Sequence, residues 1–352
     1  MAVITVVGAG MMGSALCVPL VDRGHEVRLV GTPRDESIIA RLVEDRHHLT
    51  LRYDLPRAIR PYPVEALETA LEGADAVGLG VSSAGVRWAA SVLGPRLRPG
   101  ALVFGITKGL EWDGERLRVL PDVFVDGLPA PLRTTLAPAA IAGPCIAGEL
   151  ARRVPTCVVL TGRDRANVET IAELLRTEYY RVFPSTDVEG VEVCAALKNA
   201  FAMGVAFGAG LHERRGGTPG SVAMHNYESA VMAQSIVEMM RVVELSGGNP
   251  ITAAGLAGIG DLDVTNNGGR TGRFGRLLGL GLPLPEAVAR MEGATLECLE
   301  ILAVMQRAIL ALEDRGVLGR RELPLLREMA RVALDGKALT MPFDAFFGGE
   351  RA

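Results

Sequence analysis

At 352 residues and a net charge of -4, the chain is long enough for two domains and carries no overall attraction for nucleic acid or anionic membranes. Apolar residues make up 49% and charged residues 22%, an ordinary globular balance that excludes a long disordered tract. Five cysteines (Cys17, Cys145, Cys157, Cys194, Cys298) are scattered without a close pair, which argues against a disulfide framework or a thiolate metal site and suits a reducing cytoplasm.

Val3 to Val7 reads as a buried strand with no basic leader before it, so no signal peptide is expected. Gly8-Ala-Gly10-Met11-Met12-Gly13 follows and opens an amphipathic helix to about Arg23, where Gly24 ends it. His25 to Val30 is the second strand, and Asp75–Val81, Ala101–Ile106 and Pro155–Leu160 are further strands between helical or looped segments. Strands alternating with helices predict an α/β Rossmann domain with a mostly parallel sheet over 1–187. From Phe183 to Asp187 the pattern changes. Helical spacing then runs over 188–211, 226–246, 285–291, 295–315 and 322–335, so 188–352 is expected to be an all-α domain that binds substrate. Glu213 to Gly220 reads as a surface loop from its Gly and Pro content. The apolar run from Ala200 to Leu211 is too short to span a bilayer, so no membrane insertion is expected.

A lone G-x-G-x-x-G says little, but here it follows a strand and opens a helix, the context that makes it a dinucleotide site. Gly8 allows the tight turn, Gly10 the approach of a pyrophosphate and Gly13 the packing of helix on strand. The first-turn N–H groups at Met11 and Met12 lie at the positive end of the helix. An acid at the end of the second strand would select NAD, whereas this chain reads Gly31-Thr32-Pro33-Arg34. Thr32 and Arg34 could receive a 2′-phosphate, which favours NADP over NAD; alternatively Arg34 is a solvated residue at a helix start.

Lys198 lies in Val193-Cys-Ala-Ala-Leu-Lys198-Asn199-Ala-Phe-Ala-Met-Gly-Val-Ala-Phe-Gly-Ala-Gly-Leu211, among the most apolar stretches of the chain. An ammonium there loses hydration, which lowers its pKa towards the range useful for proton transfer. The competing reading is that it caps or snorkels from a helix. Lys108 falls just after a strand, at the carboxyl edge where such sheets bind ligands. In Asp261-Leu-Asp-Val-Thr265-Asn-Asn-Gly268-Gly269-Arg270-Thr271, helical spacing puts Asp261 and Thr265 on one face. The glycine break then presents Arg270 at the next helix start, a receptor for phosphate or carboxylate, or else a solvated arginine after a turn. The five histidines form no ligand pattern with cysteines or acids, which disfavours a zinc-dependent alcohol dehydrogenase. No tyrosine has a lysine four residues on, so the proton must come from another acid.

These places, taken in order, resemble the NAD(P)-dependent glycerol-3-phosphate dehydrogenases. The marks are Val6-Val-Gly-Ala-Gly10…Gly13, Thr107-Lys-Gly109, Ala142-Gly143-Pro144…Glu149, Pro155-Thr156, Ala196-Leu-Lys-Asn199, Gly255-Leu-Ala-Gly-Ile-Gly-Asp-Leu262, Gly269-Arg270, Arg273-Phe-Gly275 and Glu292-Gly293, spread from residue 3 to about 340. The resemblance implies a Rossmann domain plus a helical domain, a homodimer, and reduction of dihydroxyacetone phosphate to glycerol 3-phosphate. Lys198 would be the proton donor, with Lys108 and Asp261 completing the polar site. Arg270 would bind the phosphate beside Asn199 and Thr265, while Gly143 and the neighbouring loop would line the substrate. Ala147 and Glu292, with Lys108 and Arg270 close by, would touch the nucleotide.

Several positions depart from the family pattern. Cys145 stands for the usual Ser, Ile146 for Phe and Thr271 for Asn. Val81-Ser82-Ser83 stands for Val-Pro-Ser, and Glu228 and Gln234 replace residues of a helix that is usually basic there. A site built on hydrogen bonds rejects analogues strongly when its donors change. An alternative is therefore the same chemistry on another phosphorylated, phosphonylated or carboxylated hydroxy or keto compound. A third reading, a non-catalytic nucleotide sensor, has no use for Lys108, Lys198 and Asp261 together.

Overall fold

The computed structural model describes residues 1–220, 224–267 and 269–348. They form two compact units, Met1–Lys108 with Val119–Val188, and Gly109–Arg118 with Glu189 onward. The strands are β1 (Val3–Val7), β2 (Glu26–Val30), β3 (His47–His48), β4 (Tyr53–Asp54), β5 (Ile59–Tyr62), β6 (Ala76–Leu79), β7 (Leu102–Gly105), β8 (Leu110–Trp112), β9 (Leu117–Val119), β10 (Ala139–Ala142), β11 (Thr156–Thr161) and β12 (Tyr180–Ser185). Helices of the first unit are α1 (Met11–Asp22), α2 (Glu36–Glu44), α3 (Leu67–Leu71), α4 (Val86–Leu93), α5 (Leu120–Asp126), α6 (Ala130–Arg133), α7 (Ala147–Ala151) and α8 (Arg165–Leu175).

Eight strands build one sheet in the order β12-β11-β10-β7-β6-β1-β2-β5, parallel except between β10 and β11. Val3 to Val7 pairs in register with Glu26 to Val30 on one side, and Ile4 to Val7 with Ala76 to Leu79 on the other. Strand order therefore reverses at β1, the switch point outside which a sheet of this kind opens a crevice for ligand. Side-chain alternation sends Ile4 and Val6 into one buried cluster and Val7 into another, one on each face. The N-terminal Rossmann architecture is thus as the sequence predicts, with β6 and β7 each shorter at both ends than the expected strands.

The second unit is helical: α9 (Val188–Arg214), α10 (His225–Leu245), α11 (Asp261–Asn266), α12 (Arg270–Gly279), α13 (Leu284–Ala289), α14 (Glu297–Asp314) and α15 (Pro324–Ala333). The ribbon of β8 and β9 leans on α14, where the Arg315 guanidinium sits 5.7 Å from the Trp112 ring centre and donates to the Glu115 carbonyl at 2.7 Å. Helix α9 is long and apolar enough to cross a bilayer, but 94% of its most apolar window is buried inside the protein. It is a core helix. It also runs to Arg214, past the expected end, because Glu213 is held by Arg276 through a charge-assisted bond of 2.6 Å; Glu213 and Arg214 are helical and not loop. Residues 221–223 and 268, the latter part of the predicted glycine break, lie outside the described residues.

Candidate active site

In the first unit the glycine loop leaves β1 under tight steric limits. A Cβ on Gly13 would stand 2.0 Å from the Gly8 carbonyl oxygen, and one on Gly8 2.5 Å from the Gly80 backbone. Gly8 itself has φ +113°, so both its conformation and its neighbours require glycine. At Gly10, by contrast, a Cβ would meet nothing within 4 Å. The backbone there faces open space, and no side chain caps α1. This is the cradle that a pyrophosphate needs. A cavity of about 380 Å³ adjoins it, lined by Gly10, Thr32, Arg34, Val81, Ser82 and Trp88. The residues present fit an adenine dinucleotide.

Two residues outside the glycine motif, Asp35 and His48, hold this loop. Asp35 is 9% exposed, and its Oδ2 accepts from the Ala9 N–H (3.1 Å), the Thr32 N–H (2.8 Å) and the Thr32 hydroxyl (2.7 Å). Fully buried His48 accepts the Leu51 N–H on Nδ1, which leaves its Nε2–H to donate to the Ala9 carbonyl at 2.9 Å. Burial lowers the pKa of His48 and favours this neutral form. The Thr32 hydroxyl donates to Asp35, while Arg34 is exposed where it lines the cavity. An Asp three residues after Thr32 was the available sequence signal for the turn.

Lys108 follows β7, and Gly143 (φ +124°), half-buried Cys145 and Ala147, the first residue of α7, follow β10. Because β1, β6, β7 and β10 are parallel, these residues share the sheet edge that carries the glycine loop. The Thr107 hydroxyl donates to the Val81 carbonyl at 2.7 Å and ties the Lys108 turn to the one after β6.

In the second unit Lys198 sits mid-helix on α9, 9% exposed, and donates to the Oδ1 of wholly buried Asp261. The apolar run suggested a desolvated ammonium, and the structure sets a buried carboxylate, that of Asp261, directly against it. A π-helical turn, Leu256–Gly260, feeds Asp261 into α11, and the Thr265 hydroxyl donates back to the Asp261 carbonyl at 2.6 Å. Helix α12 comes close to α9 through glycines: a Cβ on Gly275 would stand 2.3 Å from the Met203 carbonyl oxygen, and one on Gly279 2.4 Å from that of Phe207. Arg270 is the first residue of α12, whose Gly269 cap offers no side-chain acceptor, and Thr271 beside it is buried.

Sequence reasoning missed one residue entirely here. The carboxylate of Glu297, at the start of α14, accepts from Asn199 Nδ2 at 3.2 Å and from Arg270 Nη2 at 2.8 Å. Glu292 lies five residues earlier in an exposed turn with φ +52°. Gln234 is not the pocket-lining residue its departure suggested. At 3% exposure, its amide donates to Glu238 (2.9 Å) and accepts the Phe347 N–H (2.9 Å), which ties the segment at Phe347 to α10. Glu228 pairs with His225 at 3.2 Å. Among the described residues, no group of three or more His, Cys, Asp and Glu could hold a metal ion.

A Rossmann unit with a glycine cradle, joined in one chain to a helical unit carrying a buried Lys–Asp pair and an arginine at a helix start, defines a nicotinamide-dependent oxidoreductase acting on a CH–OH group. Family models describing the N- and C-terminal parts of NAD-dependent glycerol-3-phosphate dehydrogenase match residues 3–168 and 187–342. The chain belongs to the NAD(P)-dependent glycerol-3-phosphate dehydrogenase family, and NAD or NADP is its cofactor. It is 39% identical over 291 residues to an NADP(+)-dependent glycerol-3-phosphate dehydrogenase of Archaeoglobus fulgidus, covering 82% of this chain and 84% of that protein. It is 36% identical to a glycerol-3-phosphate dehydrogenase [NAD(P)+] of Desulfitobacterium hafniense, over 84% of this chain and 79% of the relative. The crystal structure of glycerol-3-phosphate dehydrogenase from Coxiella burnetii superposes with a TM-score of 0.79 at 26% identity, over 95% of both chains.

Proposed function

We propose that this chain reduces dihydroxyacetone phosphate to glycerol 3-phosphate, with NADPH the preferred donor. The observation that carries the reading is the buried Lys198–Asp261 pair in the helical unit of a chain whose other unit presents a nucleotide cradle. The reduced nicotinamide supplies hydride to the ketone carbon, and the residues of the chain do the rest. Lys198 Nζ gives its proton to the ketone oxygen as negative charge develops there, and takes it back from the hydroxyl in the reverse direction. Asp261 fixes the amine in place by accepting its hydrogen bond. Arg270 and the first N–H groups of α12 bind the substrate phosphate, with Asn199 and Thr265 beside them. In the first unit Lys108, Gly143 and Cys145 are assigned to the substrate and Met11, Met12 and Ala147 to the nucleotide; in the second, Thr271 is assigned to the substrate and Glu292 to the nucleotide.

Preference for NADPH is supported by Arg34, exposed where it lines the cavity, and by the engagement of Asp35 Oδ2 with the Ala9 N–H and with the Thr32 N–H and hydroxyl. We further infer a cytoplasmic homodimer from the reduced cysteines and the family resemblance, to be checked by sedimentation of the purified protein. The test of function is oxidation of NADPH by the purified chain with dihydroxyacetone phosphate and a panel of other phosphorylated, phosphonylated and carboxylated ketones. Efficient turnover of dihydroxyacetone phosphate is expected. Preference for another member of the panel would move the substrate, and oxidation with none would refute the reading.

A further inference from the structure

Glu297 occupies the groups assigned to the substrate anion. One carboxylate spans two helices, taking Asn199 from α9 through Oε2 and Arg270 from α12 through Oε1. That is the bridging geometry two phosphate oxygens would adopt, and it pairs the arginine that opens α12. We propose that Glu297 is a resident competitor for the substrate's phosphate: the carboxylate fills the anion subsite until the phosphate displaces it, and so sets the KM of the reaction. The inference rests on the assignment of Arg270 and Asn199 to the phosphate made above.

Displacement is mechanically open. The Arg270 and Glu297 side chains are 40% and 41% exposed, so both can move into water without creating a buried unpaired charge. Glu297 is the first residue of α14, an 18-residue helix whose Leu296 cap provides no side-chain acceptor. A carboxylate released from Arg270 remains next to the positive end of its own helix, which stabilises it there. The turn before α14 carries left-handed backbone at Glu292 (φ +52°) and Gly293 (φ +76°), which fixes where the helix starts and hence where the carboxylate reaches. A half-exposed ion pair of this kind contributes up to about 1 kcal/mol, so the resident carboxylate weakens apparent anion affinity about two- to fivefold.

Glu297→Gln keeps the shape and removes the charge. In NADPH-linked reduction of dihydroxyacetone phosphate, KM is expected to fall about two- to fivefold, and the inhibition constant of inorganic phosphate by the same factor. Calorimetric titration of inorganic phosphate into both proteins reads the same gain without turnover, and Arg270→Ala in the E297Q background abolishes it. Unchanged or weakened phosphate binding in E297Q overturns the proposal, because Glu297 would then be holding Arg270 in place for the substrate. A wild-type chain that does not turn over dihydroxyacetone phosphate would sink the functional reading, while the phosphate titration still decides this one.

Discussion

Glu238 offers a quantitative test of how the helical unit is held together. Its carboxylate is 2% exposed and accepts from Gln234 Nε2 (2.9 Å), from the Leu325 N–H (2.6 Å) and from the Leu326 N–H (2.8 Å), capping the start of α15 from α10. Burial outweighs these donors and pushes the carboxyl from its ordinary 4.5 up to about 7. Between those values the folded chain holds a proton that the unfolded chain has released. The Glu238 contribution to stability is therefore full below about pH 4.5 and is lost as pH rises through about 7, a swing of about 3 kcal/mol. Glu238→Gln abolishes the swing and adds a pH-independent cost of about 1–3 kcal/mol, because an amide N–H₂ must face a backbone N–H. Urea unfolding followed by Trp112 fluorescence in a Trp88→Phe background reports the helical unit alone, since Trp88 belongs to the other unit. The stability difference between this protein and its E238Q form should shrink steadily as pH rises from about 4.5 to about 8. A difference that is flat, or that grows with pH, refutes the reasoning.

Asp261→Asn leaves Lys198 buried without its counter-ion and should cost about 3–5 kcal/mol in urea unfolding while lowering kcat. A loss well under 1 kcal/mol would show that the pair is not structural. Arg34→Ala should raise the KM for NADPH about tenfold or more and leave NADH nearly unmoved, because one charge-assisted contact to a 2′-phosphate is lost. Equal shifts for both nucleotides would contradict the role given to Arg34.

Much of the fold was legible because its strongest signals are local. Val3–Val7, the glycine turn and α1 form one continuous pattern, and the run around Lys198 is apolar enough to read as core. The unpredicted strands have physical reasons for escaping notice. Ile59–Tyr62 and Tyr180–Ser185 are the two edges of the sheet and contain Pro61 and Pro184, which only edge strands tolerate. Ala139–Ala142 is nearly all alanine and is a strand because β7 and β11 flank it. In the site, Lys198, Asp261 and Arg270 were visible as polar residues in glycine-rich or apolar surroundings. Glu297 was not, since an acid in the first turn of a helix is what dipole complementarity places there in any protein. Asp35 was hidden as well, since its carboxylate is held by a bond from Ala9, a residue far away in sequence. Contacts between distant segments leave no periodicity to read.

The central claim is that Lys198 moves the proton. Its most direct test is single-turnover reduction of dihydroxyacetone phosphate by a Lys198→Ala enzyme preloaded with NADPH, with nucleotide binding measured on the same sample. The account predicts a rate lower by about 10²–10⁴-fold with nucleotide affinity retained. A variant that binds NADPH normally and still reduces the ketone at close to the original rate would contradict it.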